Sequence, residues 1–152
     1  MVRVLICVLS LAGLANALYF SFAYYGRIKK ARWVPEILCA REGSSCVRVV
    51  QTRYARVFGV PNSLLGIVYY LFLIKGALAN WPIHIMLNDY FGPVVHFHLG
   101  MALLMLTSAG TIILGVYLIY ALRFKLHVHC PLCYTAHVIN AALFVLLVIL
   151  AF

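Results

Sequence analysis

Cys130 and Cys133 are spaced as Cys-Pro-Leu-Cys and immediately precede an apolar run that continues to Phe152, while a second pair, Cys39 and Cys46, lies in the longest polar stretch of the chain. Two thiols at a helix mouth, with a second pair able to reach them, make a route for two electrons from protein thiols into the bilayer. Exchange requires a thiolate to attack a disulfide, and the positive end of a helix stabilises that thiolate. Cys130 falls at the N-cap, with Pro131 at the first helical position, where a missing N–H costs nothing. Cys133 is one turn further in, toward the hydrocarbon. The outer sulfur can therefore exchange with Cys46 and the inner one can meet a membrane-dissolved oxidant. A quinone fits that description, being apolar and able to take two electrons and two protons.

Two further residues belong to this chemistry. Asn62, in Val60-Pro61-Asn62-Ser63, lies at the same membrane depth and offers an amide donor to a quinone carbonyl. In a low-dielectric site such a bond also stabilises negative charge developing on that oxygen. His137 is one turn below Cys133, and an ionisable group inside a span is a functional candidate. It reads as a proton donor in quinone reduction, the alternative being a satisfied core histidine. Asn16 and Asn140 read as interhelical hydrogen bonds, Ser63 as a helix cap and Cys7 as a small buried core residue.

Other chemistries weigh less. His127, His129, Cys130, Cys133 and His137 could ligate zinc as HxHCxxCxxxH, but that leaves Cys39 and Cys46 unexplained, and no bound metal is expected. His96 and His98 lack a matching pair for haem. A non-enzymatic alternative is a small membrane subunit or transporter whose cysteines form static disulfides, which would resist mild thiols where catalytic ones yield.

The elements that must position these residues follow from composition. Of 152 residues 66% are apolar and 10% charged, with a mean hydropathy of +1.04, too much apolar surface for a soluble core of this size to bury. Apolar runs of about 20 residues indicate membrane spans. The predicted fold is an all-α integral membrane bundle of four helices, at 4–25, 64–79, 94–122 and 131–152, in a single domain over 1–152 with no appended soluble domain. The first run is too long for a signal peptide and lacks a cleavage site, so it is expected to be retained. A catalytic loop, 27–63, joins the first two helices. Within it, residues 44–58 have helical periodicity, with Cys46, Val47, Val50, Tyr54, Val57 and Phe58 on one arc. This predicts an interfacial half-helix, apolar face down on the bundle.

Four spans place both cysteine pairs on one side of the membrane. The net charge of +9 belongs to loops at lipid headgroups rather than to nucleic-acid binding. Ten basic residues lie on the cysteine side (Arg27, Lys29, Lys30, Arg32, Arg41, Arg48, Arg53, Arg56, Arg123, Lys125), against Arg3 and Lys75 on the other. That bias predicts a multi-pass cell-membrane protein with its cysteines facing the cytoplasm, the alternative being the extracytoplasmic face. Cytoplasmic disulfide formation is expected chiefly of hyperthermophiles.

Cys39 and Cys46 on a loop, Pro61-Asn62-Ser63 followed by Gly66, and Cys130-Pro131-Leu132-Cys133 opening a helix resemble the vitamin K epoxide reductase family, in particular its microbial quinone-dependent disulfide-forming members without a fused thioredoxin domain. The resemblance spans essentially the whole chain. It implies a four-helix bundle around a quinone pocket (menaquinone, ubiquinone or a relative), with Cys133 contacting the quinone. It also implies exchange of Cys130 with Cys46, and of Cys39 with a thioredoxin-like partner. The chain departs from the animal enzymes at His137, where they carry tyrosine, and at Val50, where they carry phenylalanine. These departures weigh against vitamin K epoxide as a substrate and leave quinone reduction untouched.

Overall fold

The computed structural model describes residues 1–27, 49–57, 59–78 and 93–151, the side chains of 93–101 and 151 excepted. Cys39, Cys46 and the 80–92 connector lie outside these residues.

Helix α1, Val2–Tyr24, is predominantly apolar and contains no proline. It stops at Gly26, whose φ of 66° is open to glycine at little cost. The Gly26 and Arg27 amides bond back to the carbonyls of Ala23 and Phe22, at 3.2 and 3.0 Å. That pair of bonds is a Schellman closure.

Residues 49–51 are helical, but the half-helix expected to run to residue 58 ends at Thr52. The Thr52 hydroxyl donates to the Val49 carbonyl at 2.7 Å, and its backbone is extended, with ψ 157°. A single 3₁₀ turn (Arg53–Ala55) and a small hairpin follow, β1 (Arg56–Val57) against β2 (Val60–Pro61), antiparallel with Val57 opposite Val60. Local side-chain bonding and strand pairing thus win over the helical period. The Arg56 guanidinium lies 5.5 Å over the Tyr24 ring and ties the hairpin to the end of α1.

Helix α2, Asn62–Leu78, starts directly after Pro61, two residues earlier than expected. Helix α3, Pro93–Tyr120, continues through a π-helical segment, Ala121–Leu126, four residues past the expected end. Arg123 and Lys125 mark a water boundary in sequence, yet cations at a helix C-terminus favour its dipole, and the helix tolerates them. His127, at φ 50°, ends the segment and turns the chain toward Cys130. Helix α4, Pro131–Ala151, completes the described fold.

Helix α1 packs most closely on α2 and more lightly on α4, and α3 packs on α4. Small residues allow the α1–α2 approach: Gly13 faces the Tyr70 ring so closely that a Cβ there would collide with it, and Gly66 meets Ala17. One core cluster gathers Ile6, Ala17, Tyr70, Leu73, Leu104, Leu143 and Leu147. A second, at the Cys130 end, gathers Phe20, Val49, Val50, Leu122 and Cys130.

Outward faces are apolar, with Val8, Leu11, Val68, Leu106, Ile113, Val116, Val138 and Val145 exposed. Three helical stretches, Val2–Tyr24, Ala102–Leu126 and Pro131–Leu150, are long and apolar enough to cross a membrane. Asn62–Leu78 is apolar but shorter, at 17 residues. The protein is therefore an all-α membrane protein. Cys7 is half-buried rather than fully buried, because its side of α1 has only partial cover.

Candidate active site

A cavity of about 640 Å³ runs down the middle of the helices. Asn62, Ser63, Cys133 and His137 line it, with Asn16, Tyr69, Tyr70 and Asn140; the remaining lining is mostly aliphatic and aromatic. Of the residues picked out by sequence, Asn62, Cys133 and His137 thus share one cavity. Cys130 lies outside it, and Cys39 and Cys46 fall beyond the described residues.

The two thiols at the mouth of α4 are oriented differently. Cys130 is fully buried, in the cluster that includes Val49 and Val50, while Cys133 is half-buried and reaches the cavity. The outer cysteine is thus the more enclosed, because the segment around Val50 sits on it. Its carbonyl accepts from the amides of Cys133 and Tyr134, at 3.1 and 3.2 Å, as an N-cap carbonyl does. The Cys133 thiol donates to Cys130 and holds the Cys130 thiol below the usual thiol range. Burial opposes this, and the backbone N–H groups of Cys133 and Leu132 reinforce it. That favours the thiolate form of Cys130, as an exchanging sulfur requires.

The first turn of α4 is braced from α1. The Asn16 amide donates to the Leu132 carbonyl at 3.0 Å, an interhelical bond as expected. Ser63 is held by a donation from Ser21 at 3.1 Å, a cross-helix role in place of the anticipated cap, since α2 already begins at Asn62.

His137 leans on α3 at Gly115. A Cβ there would lie 2.7 Å from His137 Nδ1, so only glycine leaves room for the ring. Among the described residues Nδ1 is buried without a hydrogen-bond partner, while the side chain as a whole lines the cavity. Sequence reasoning did not identify Gly115, because nothing in the order of residues says which helix His137 will touch.

Deeper in the cavity the lining becomes polar again. The Tyr70 hydroxyl donates to Asn140 Oδ1 at 2.7 Å, and Tyr69 and Ser108 share a hydrogen bond of 2.7 Å between α2 and α3. Among the described residues no three His, Cys, Asp or Glu side chains converge as metal ligands. His127 and His129 are exposed, whereas Cys130 is buried.

The chain matches the model of the Vitamin K epoxide reductase family over residues 4–148. It belongs to that family. Membership makes it a membrane oxidoreductase of a family that uses a quinone as redox partner. The cavity suits such a molecule, with apolar walls of sufficient volume and an amide and an imidazole beside a thiol.

Proposed function

We propose that this member of the vitamin K epoxide reductase family is a quinone-dependent thiol–disulfide oxidoreductase that promotes protein disulfide formation. Electrons pass from a thioredoxin-like partner to Cys39, then through Cys46 to Cys130 and Cys133, and finally to a quinone in the cavity. The observation that carries this reading is the divided orientation of the CxxC. Cys133 lines the cavity with Asn62 and His137, while Cys130, hydrogen-bonded to it, packs with Val49 and Val50, three and four residues after Cys46.

The balance is simple. Oxidation of the Cys130–Cys133 dithiol to a disulfide releases two electrons and two protons, and a quinone accepts both pairs. The chain supplies the rest. Asn62 donates to a carbonyl oxygen, His137 holds a proton beside it, and the aliphatic lining excludes water, which strengthens each polar contact. Cys46 attacks the Cys130–Cys133 disulfide, and the depressed Cys130 pKa makes that sulfur the better leaving group when Cys39 resolves the Cys46–Cys130 mixed disulfide, leaving the Cys130–Cys133 dithiol reduced.

In this reading α2 also spans, since 17 residues rise about 25 Å, near the lower limit for a bilayer core. The basic residues Arg27, Arg53, Arg56, Arg123 and Lys125 share the Cys130 end, whereas Arg3 and Lys75 lie at the other, so the cysteines face the cytoplasm.

The test is dithiol-driven quinone reduction by the purified protein. Cys130→Ala and Cys133→Ala should each abolish it, and wild-type turnover by either variant would overturn the mechanism. Asn62→Ala should lose one hydrogen bond to a partly charged oxygen, about 1.5–3 kcal/mol, or roughly ten- to a hundredfold in kcat/KM. Unchanged quinone kinetics would remove Asn62 from the site.

A further inference from the structure

The cavity is polar at two depths, and the proposed chemistry uses only the upper one. On α4, Cys133, His137 and Asn140 follow one another at four and three residues, and all three line the cavity. Asn140 therefore lies one face of a helix below Cys133, about 10 Å deeper at 1.5 Å per residue. On α2 the same interval separates Asn62 from Tyr69, with Tyr70 next. The Tyr70–Asn140 hydrogen bond shows that these lower positions are level with each other.

The Asn140 amide has a defined orientation. Tyr70, 3% exposed and wedged against Gly13, gives its hydroxyl hydrogen to Asn140 Oδ1 at 2.7 Å. With the oxygen committed, the NH2 is the end left to offer. The Asn140 side chain borders the cavity. A para-quinone has two carbonyl oxygens on opposite sides of one ring. With a hydrogen bond on each, its length is roughly that of the interval between the two polar levels.

We propose that Asn140, oriented by Tyr70, is a second carbonyl site that binds the far oxygen of a para-quinone whose near oxygen lies at Asn62. This rests on reading the cavity as the quinone site. It makes the cavity selective for a 1,4-dicarbonyl ring over an apolar ring carrying one carbonyl, because an amide left unpaired at this depth discriminates against a ligand that cannot reach it.

The experiment measures binding, with turnover blocked by Cys133→Ala in the full chain in detergent. The probes are 2-methyl-1,4-naphthoquinone and its one-carbonyl analogue, 2-methyl-1-tetralone. Adding Asn140→Leu should weaken the naphthoquinone by roughly three- to tenfold and leave the tetralone within a factor of two, as estimated from loss of a single hydrogen bond. Tyr70→Phe keeps the ring against Gly13 and frees the amide to turn. It should give a smaller loss with the same selectivity, and it decides the matter if Asn140→Leu fails to fold. Equal weakening of both probes would make the pair a structural brace, and unchanged naphthoquinone affinity would remove Asn140 from the site. If the naphthoquinone does not bind the Cys133→Ala protein at all, the quinone reading itself fails. Binding that depends on Asn62 and not on Asn140 overturns only the second site.

Discussion

The imidazole of His137 rests against Gly115 with no room for a methyl group between them, a Cβ at Gly115 falling 2.7 Å from Nδ1. A glycine in the middle of α3 costs about 1 kcal/mol of helix propensity relative to alanine. Here that cost gives the ring its place at the cavity wall.

Gly115→Ala should consequently leave the fold intact while displacing the ring. Quinone reduction is expected to fall toward the level of His137→Ala. In the double variant the second substitution should add almost nothing, since both act through one contact. Steady-state kinetics of the four proteins check this. Additive losses would mean that the two residues act separately.

The Cys130 thiolate predicts a pH profile. Its thiol is held below the usual range chiefly by the hydrogen bond from Cys133, so more thiolate is present at a given pH than for an ordinary cysteine. The rate of Cys130 modification by a small alkylating reagent should therefore have its midpoint at lower pH than a model thiol. Cys133→Ala removes the leading cause while burial still favours the neutral thiol, so the midpoint should move up. Mass-spectrometric counting of the modified peptide gives the profile, and a midpoint indifferent to Cys133 would contradict the assignment.

In the loop, Cys39 and Cys46 are expected to divide the work. Without Cys39, small dithiols should still feed Cys46, while oxidation of a thioredoxin-like protein stops. Without Cys46, a partner trapped on Cys39 should persist as a mixed disulfide, because no internal thiol resolves it. Non-reducing gels and turnover assays separate the two, and identical behaviour of the variants would end the division.

Orientation can be read from a reporter. If the ten basic residues at the cysteine end direct it to the cytoplasm, four spans put a reporter fused after Phe152 outside. A fusion active only in the cytoplasm would reverse the orientation and leave the basic loop as a headgroup contact. Lysines added after both Met1 and Phe152 should flip a protein that began with its cysteines in the cytoplasm.

Much of this protein was legible in one dimension, because a bilayer demands long apolar helices. Apolar runs alone announced the three helices long and apolar enough to cross a membrane, and Cys130-Pro131-Leu132-Cys133 announced an N-cap with a second thiol one turn inside. The spacing of Cys133 and His137 put them on one face of α4 for the same reason. The half-helix was misjudged past Gln51 because the Thr52 hydroxyl bonds the Val49 carbonyl and Arg56–Val57 pair with Val60–Pro61 as strands, a competition that periodicity does not register. Only the tertiary structure decided which helix faces which: that Gly115 receives His137, that Gly13 admits Tyr70, and that Tyr70 reaches Asn140. It also decided that Cys130 is covered by Val49 and Val50 while Cys133 lines the cavity. Helical period sets the face on which a side chain stands, but a close approach between two helices depends on the shapes of both, and neither sequence carries that alone.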